Sequence, residues 1–236
     1  MLALTPARLL AIWESGARRH PIDRALLLFA MAVPHRNPDE LVDAPLSERN
    51  AAIMALRESY FGSQLSAWVD CPGCGERMEF ELHPSMLPPQ PSPSVDEITV
   101  GEVRFKRPTS RHLAAAARCD HPDEAAMALL RQCVIDETED KVEPKRLAAL
   151  MEAAGAAIDD ADPWAELSLD LPCPSCGQEV SASFDIAAYL WDELDSLAQR
   201  LLNDIHTLAC TYGWTEPDIL ALSDSRRAAY LDRVRA

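Results

Sequence analysis

A chain of 236 residues, 48% apolar and with only 8 glycines, has enough apolar side chain to bury a core in one domain or two small ones. Its net charge of -16 makes nucleic acid a poor partner, because an acidic surface repels phosphates unless a local basic patch overrides it. No stretch approaches the roughly 20 uncharged apolar residues of a membrane span, and the opening MLALTPARLLAIWESGARR lacks the small-residue cleavage site of a secretory leader, so a cytoplasmic protein is expected.

The first sixty residues repeat at helical spacing, with Leu9, Leu10 and Trp13 in one segment, Ala25 to Met31 in a second, and Ile53, Met54, Leu56 and Tyr60 in a third. Thr5 before Pro6 and Ser47 before Glu48 are the expected N-caps, and Gly62 closes the third helix. Residues 1–64 therefore read as a helical unit. From Leu65 the period shortens. SAWVD leads into CPGCG, after which Met78, Phe80 and Leu82 alternate with Arg77, Glu79 and Glu81, predicting strand, knuckle and strand. The order recurs in AELSLDLP, CPSCG and QEVSASFDI, where Val180, Ala182, Phe184 and Ile186 share one face. Residues 65–83 and 166–186 are thus two halves of an internal repeat.

Between them, 84–165 reads as an insertion. It holds an exposed, extended proline-rich linker from Pro84 to Pro93, one strand in EITVGEVRFKRP, and helices in SRHLAAAARC, DEAAMALLRQCVID and PKRLAALMEAAGAAI. After the second hairpin, Ile186, Leu190, Leu194, Leu197, Leu201, Ile205 and Leu208 mark one stripe of a long amphipathic helix ending near Gly213. Thr215 with Asp218 opens the next helix as a capping box and Ser223 caps the last, so 187–236 is a C-terminal helical arm. The fold class expected is α+β, mainly helical, around a ribbon built from two distant β-hairpins.

The chemistry concentrates in four cysteines. Cys-x-x-Cys in a tight turn presents two thiolates to one ion, and a tetrahedral zinc needs four. Cys71, Cys74, Cys173 and Cys176 supply two such halves, each with proline after its first cysteine and glycine after its second. Closing the long loop between the knuckles costs an entropy that grows only logarithmically, which zinc binding of roughly 10 to 16 kcal/mol exceeds. One structural zinc is the expected cofactor. The rival reading is a thiol-exchange pair, which calls for a single reactive motif at a helix N-terminus rather than two at hairpin tips. Cys119, Cys133 and Cys210 are left as buried small apolar residues.

Nothing else in the sequence assembles a catalytic set. The six histidines form no H-x-x-x-H pair, there is no glycine-rich phosphate loop, and His206 on the long helix reads as structural or interfacial. Asp159, Asp160 and Asp162 read as a solvated helix end rather than a cation site. In the arm, Tyr212, Trp214, Leu220, Arg226, Arg227 and Tyr230 are the candidate partner-binding residues, an apolar, aromatic patch rimmed by arginines.

Taken in order, LSERNAAIMALRESYFG, CPGCGERMEFEL, VRFKRPTSRHLAAAAR, ADPWAELSLDLPCPSCG and FDIAAYLWDELDSLAQRLLNDIHTLACTYGWTEPDILALSDSRRAAYL resemble the T-even-type baseplate and baseplate-hub assembly proteins of contractile tails and contractile injection systems. The resemblance implies a non-enzymatic structural or assembly role, with other baseplate or tail proteins as partners and a place in the cytoplasm or in the particle itself. It brings no active site to carry over, and with the acidic charge and the lack of a long apolar stretch, no nucleic acid, membrane span or small-molecule substrate is expected. The alternative from the residues alone is a zinc-ribbon nucleic-acid-binding regulator, resting on the two knuckles and on Arg226, Arg227, Arg233 and Arg235.

Overall fold

The computed structural model describes residues 4–82, 86–89, 97–135 and 144–235, which form a mixed α+β fold of helices and three short antiparallel hairpins. No helix among the described residues is long and apolar enough to cross a membrane. The chain divides into two compact units, Pro21–Ala187 on one hand and Met1–His20 with Ala188–Ala236 on the other. The first helix, α1 (Pro6–Gly16), therefore groups with the C-terminal arm and not with the helices that follow it. Thr5 caps it as expected, accepting from the Arg8 N–H at 3.3 Å.

The larger unit opens with α2 (Pro21–Ala32), α3 (Pro38–Asp43) and α4 (Leu46–Phe61). Helix α3 buries one apolar residue, Leu41, too few for a periodic signal; its sequence mark is Asn37, whose side chain accepts from the Asp39 N–H ahead of Pro38. Ser47 does not cap α4. The helix starts two residues earlier than that cap implies, with Pro45 at the cap position and the Leu46 N–H bonded to the Pro108 carbonyl at 2.9 Å. Backbone from the insertion satisfies this helix end, leaving Ser47 buried within the first turn, 3.5 Å from Arg107. Gly62 ends the helix at φ 81, where a side chain would be strained.

Strands β1 (Leu65–Asp70) and β2 (Arg77–Leu82) pair with Leu65 opposite Leu82 and Asp70 opposite Arg77. Of the linker read over 84–93, only 86–89 lies within the described residues. There the Pro88 and Pro89 carbonyls accept from the buried Trp164 indole at 3.1 and 2.8 Å, so this piece is anchored. The segment read as one strand is a hairpin, β3 (Glu97–Val100) and β4 (Val103–Lys106), turned at Gly101 with φ 62. The reason is parity: Ile98 and Val100 alternate, two loop residues intervene, and Val103 and Phe105 resume on the same buried side. Helices α5 (Ser110–Ala116), α6 (Pro122–Cys133) and α7 (Pro144–Ala161) follow. Phe105 of β4, Cys133 of α6, and Met151 and Ala154 of α7 form one shared core.

The second ribbon hairpin is β5 (Leu167–Pro172) with β6 (Glu179–Phe184). Ile186 is not a strand residue. It is the first residue of α8 (Ile186–Tyr212), where it is buried. In the smaller unit α8 buries Leu190, Leu194, Leu201, Ile205 and Leu208 as predicted and adds Trp191 and Ala198, while Leu197 is half-buried. Asp195 on α8 accepts from the Trp13 indole of α1 at 2.6 Å. Gly213 turns the chain at φ 68. Thr215 and Asp218 form the expected capping box of α9 (Glu216–Leu220), and Ser223 accepts from the Arg226 N–H at the start of α10 (Asp224–Arg235).

Candidate metal centre

The two knuckles fold alike. In the first, the Cys71 N–H donates to the Glu76 carbonyl and the Gly75 N–H to the Cys71 carbonyl, both at 2.8 Å; in the second, Cys173 bonds Gln178 and Gly177 bonds Cys173 in the same pattern at 2.9 Å. Gly75 at φ 75 and Gly177 at φ 73 occupy the one left-handed position of each turn, which is why glycine follows the second cysteine of both motifs. Their strands then pack together, Met78 and Val69 of one hairpin against Val180 and Leu171 of the other, so the apolar alternation that made the strands also brings the knuckles face to face.

The consequence is a four-sulfur cluster. Cys71 Sγ lies 3.7 Å from Cys176 Sγ, Cys74 Sγ lies 3.7 Å from Cys173 Sγ, and all four sulfurs fall within 4.8 Å of one another. The close pairs join one knuckle to the other. A disulfide needs about 2.05 Å, whereas four sulfurs held about 2.3 Å from a tetrahedral ion are spaced by about 3.8 Å. All four thiols are free. Cys71 and Cys173 are buried, and Cys74 and Cys176 lie on the open side. The site thus has the ligand set, spacing and entry side to hold a metal ion.

Crowding perturbs the sulfurs unequally. The Cys176 backbone N–H, with further hydrogen bonds, holds the Cys173 thiol down at about 7. For Cys74 the hydrogen bond with the Glu76 backbone lowers the thiol, but desolvation and the three neighbouring sulfurs prevail and push it up to about 12. Cys176 is raised as well: the Gln178 backbone and Cys74 lower it, and Cys173, desolvation and Cys71 outweigh them. Ionised together, four sulfurs this close would repel one another, and a dication held between them would relieve the repulsion.

Helix α4 holds the site in place through side chains that its sequence did not advertise. Buried Arg57 donates to the Gly62 carbonyl at 2.8 Å and the Gln64 carbonyl at 2.6 Å, immediately ahead of β1. About two turns earlier, buried Asn50 donates to the Trp164 and Ala165 carbonyls at 2.8 and 3.2 Å, immediately ahead of β5. One helix therefore hangs both hairpins. Arg49 holds its neighbour's oxygen, donating to Asn50 Oδ1 at 3.0 and 3.1 Å and to Ser110 Oγ at 3.0 Å. Burial lowers the Arg49 pKa, against the opposing pull of Asp185. The only signal in sequence was polar residues where a helix of this burial would carry apolar ones.

The remaining expectations divide. Cys133 is buried as read, Cys119 is half-buried, and Cys210 is exposed on the outer side of α8, half a turn from the buried Leu208. Cys133 lies 3.6 Å from His112 Nδ1, but burial pushes its thiol up to about 11 and lowers the His112 imidazole, so the pair stays neutral. Asp162 is not solvated. It is buried 3.9 Å from Arg107, with its carboxyl raised by burial against the lowering pull of Ser47 and Arg107. Asp159 and Asp160 are exposed.

In the arm, Tyr212 stacks on Trp214 at 4.8 Å, and Tyr230 meets both edge-on at 5.7 and 4.8 Å. Tyr212 is 37% exposed, Leu220 is half-buried, and Arg226 is exposed. Arg227 is half-buried, bonding Asp204 at 3.4 Å and Asp224 at 2.8 Å. Comparison of the chain with protein-family models, with curated proteins and with solved structures finds no match.

Proposed function

We propose that the chain binds one structural zinc ion through Cys71, Cys74, Cys173 and Cys176 and serves, without catalysis of its own, as a structural or assembly component of the baseplate of a phage-tail-like contractile particle. The observation that carries the zinc is the pair of 3.7 Å sulfur contacts between knuckles, which match the edge of a tetrahedral four-thiolate site. Thiolate-only ligation with no open position suits a structural ion rather than a catalytic one. The particle rests on the ordered resemblance of segments along the whole chain.

Protein contacts are favoured over nucleic acid by two features. Arg227, one of the arginines the nucleic-acid reading needs, is bonded to Asp204 and Asp224, and the chain carries -16 overall. Co-expression with the sheath, tube and baseplate subunits of a contractile particle is the test. Co-purification with at least one baseplate subunit, with one zinc per chain, is the expected result. Purification apart from all of them, or salt-dependent binding to DNA or RNA, overturns the assignment.

A further inference from the structure

Trp68 is the most exposed large apolar side chain among the described residues, at 57%. It stands on the outward face of β1, directly opposite Glu79 and diagonal to Glu81 across β2. The Arg77 guanidinium covers one side of the ring at 4.0 Å and is itself held by Asp70 at 3.1 Å. Glu79 and Glu81 are exposed and have no cationic partner among the described residues. An open hollow of about 470 Å³ runs alongside, with Trp68, Glu79, Phe80 and Glu81 in its wall.

The fold does not require this group. The second hairpin has the same strand lengths, the same turn and the same inward apolar positions, yet places Asp170 where the first has Trp68, and Ser181 and Ser183 where the first has Glu79 and Glu81. A large aromatic kept in water, next to unpaired carboxylates and dispensable to an equivalent hairpin, has the composition of a binding anchor. Charge identifies what it anchors. Residues 65–82 and 166–184 together carry seven carboxylates and one basic side chain, Arg77, which repels nucleic-acid phosphates and anionic headgroups and attracts lysine and arginine.

We infer that the outward face of the first hairpin, Trp68 with Glu79 and Glu81, docks a lysine- or arginine-bearing segment of another protein, whose cation stacks on the free side of the indole while a neighbouring basic residue pairs with a glutamate. The inference does not rest on the particle assignment and holds whichever assembly the protein serves. It is tested on the full chain by fluorescence anisotropy with short labelled peptides of alternating lysine and serine, alternating arginine and serine, and alternating glutamate and serine, together with a single-stranded oligonucleotide, at low and physiological ionic strength. The basic peptides should bind. Trp68→Ala, and Trp68→Asp, which copies the second hairpin, should weaken them by about tenfold or more. Glu79→Gln with Glu81→Gln should weaken them and flatten the salt dependence. The remote pair Asp39→Asn with Glu40→Gln should leave binding unchanged, and metal content and melting temperature should hold across the series. Absence of binding to either basic peptide, undiminished binding by both folded Trp68 variants, equal loss from the remote pair, or tighter binding of the glutamate peptide or the oligonucleotide each overturns the inference.

Discussion

The two ribbon hairpins are the same fold written twice with different exteriors. Inward, Leu65, Ala67, Val69, Met78, Phe80 and Leu82 of the first answer to Leu167, Leu169, Leu171, Val180, Ala182 and Phe184 of the second, apolar against apolar at every position. Outward, Trp68, Arg77, Glu79 and Glu81 answer to Asp170, Glu179, Ser181 and Ser183. Packing and the sulfur cluster constrain one face and both cysteine turns; water tolerates many answers on the other. Where the halves agree, the cause is the fold, and where they differ, the residues are free to serve something else.

The largest effect expected is that the halves fail together. Cys71→Ser and Cys173→Ser occupy equivalent buried corners, so each should abolish the proposed content of one metal ion per chain and lower the melting temperature by on the order of 10 °C, read by elemental analysis and calorimetry. A loss confined to one knuckle would break the equivalence. Next come the inward and outward faces. Met78→Ala should cost about 2 to 5 kcal/mol in chemical denaturation, whereas Ser181→Glu with Ser183→Glu, which gives the second hairpin the two outward glutamates of the first, should stay within about 1 kcal/mol.

The clamps on α4 make a finer comparison. Arg57→Met should cost about 3 kcal/mol and loosen residues 65–82, and Asn50→Ala about 2 kcal/mol while loosening 166–184, because each leaves two carbonyls without donors. Hydrogen exchange resolves the two hairpins. Equal loosening of both by either change would show that the clamps do not act hairpin by hairpin.

What the sequence disclosed was what is decided locally or by repetition. The knuckles, their strands and the caps at Thr5, Gly62, Thr215 and Ser223 depend on residues within a turn or two of each other, and the Cys-x-x-Cys repeat announced that the halves would meet. What escaped was decided at a distance. Ser47 gave way as a cap because Pro108 supplied a carbonyl from elsewhere in the chain, Asp162 was buried by Arg107, and α1 grouped with the C-terminal arm without any local mark. The β3–β4 hairpin was the exception, legible locally in the parity shift across Gly101 and Glu102 yet easily read as one strand.

The smallest effect separates the hairpins from the insertion between them. His112 stands at the third position of α5, where its Nδ1 accepts the Thr109 N–H at 3.2 Å while Thr109 Oγ1 accepts the His112 N–H, a capping box closed by histidine. Burial foremost, then Lys106 and Arg111, disfavours the imidazolium, with Asp43 opposing, so the folded pKa lies below the ordinary 6.5. Above 6.5 the ring is neutral in folded and unfolded chains alike and the stability of this cap is fully present. As pH falls below 6.5 the unfolded chain takes up a proton that the folded one refuses, and stability declines by no more than about 1.4 kcal/mol per pH unit, the share of one proton. Gln is the usual closing residue of such a box and does not titrate. His112→Gln should therefore match the parent at neutral pH and lose less stability on mild acidification, with the metal content of the two proteins equal at each pH. A variant whose pH slope equals the parent's would remove His112 from the account; one that sheds metal earlier would show that the insertion and the ribbon are a single cooperative piece.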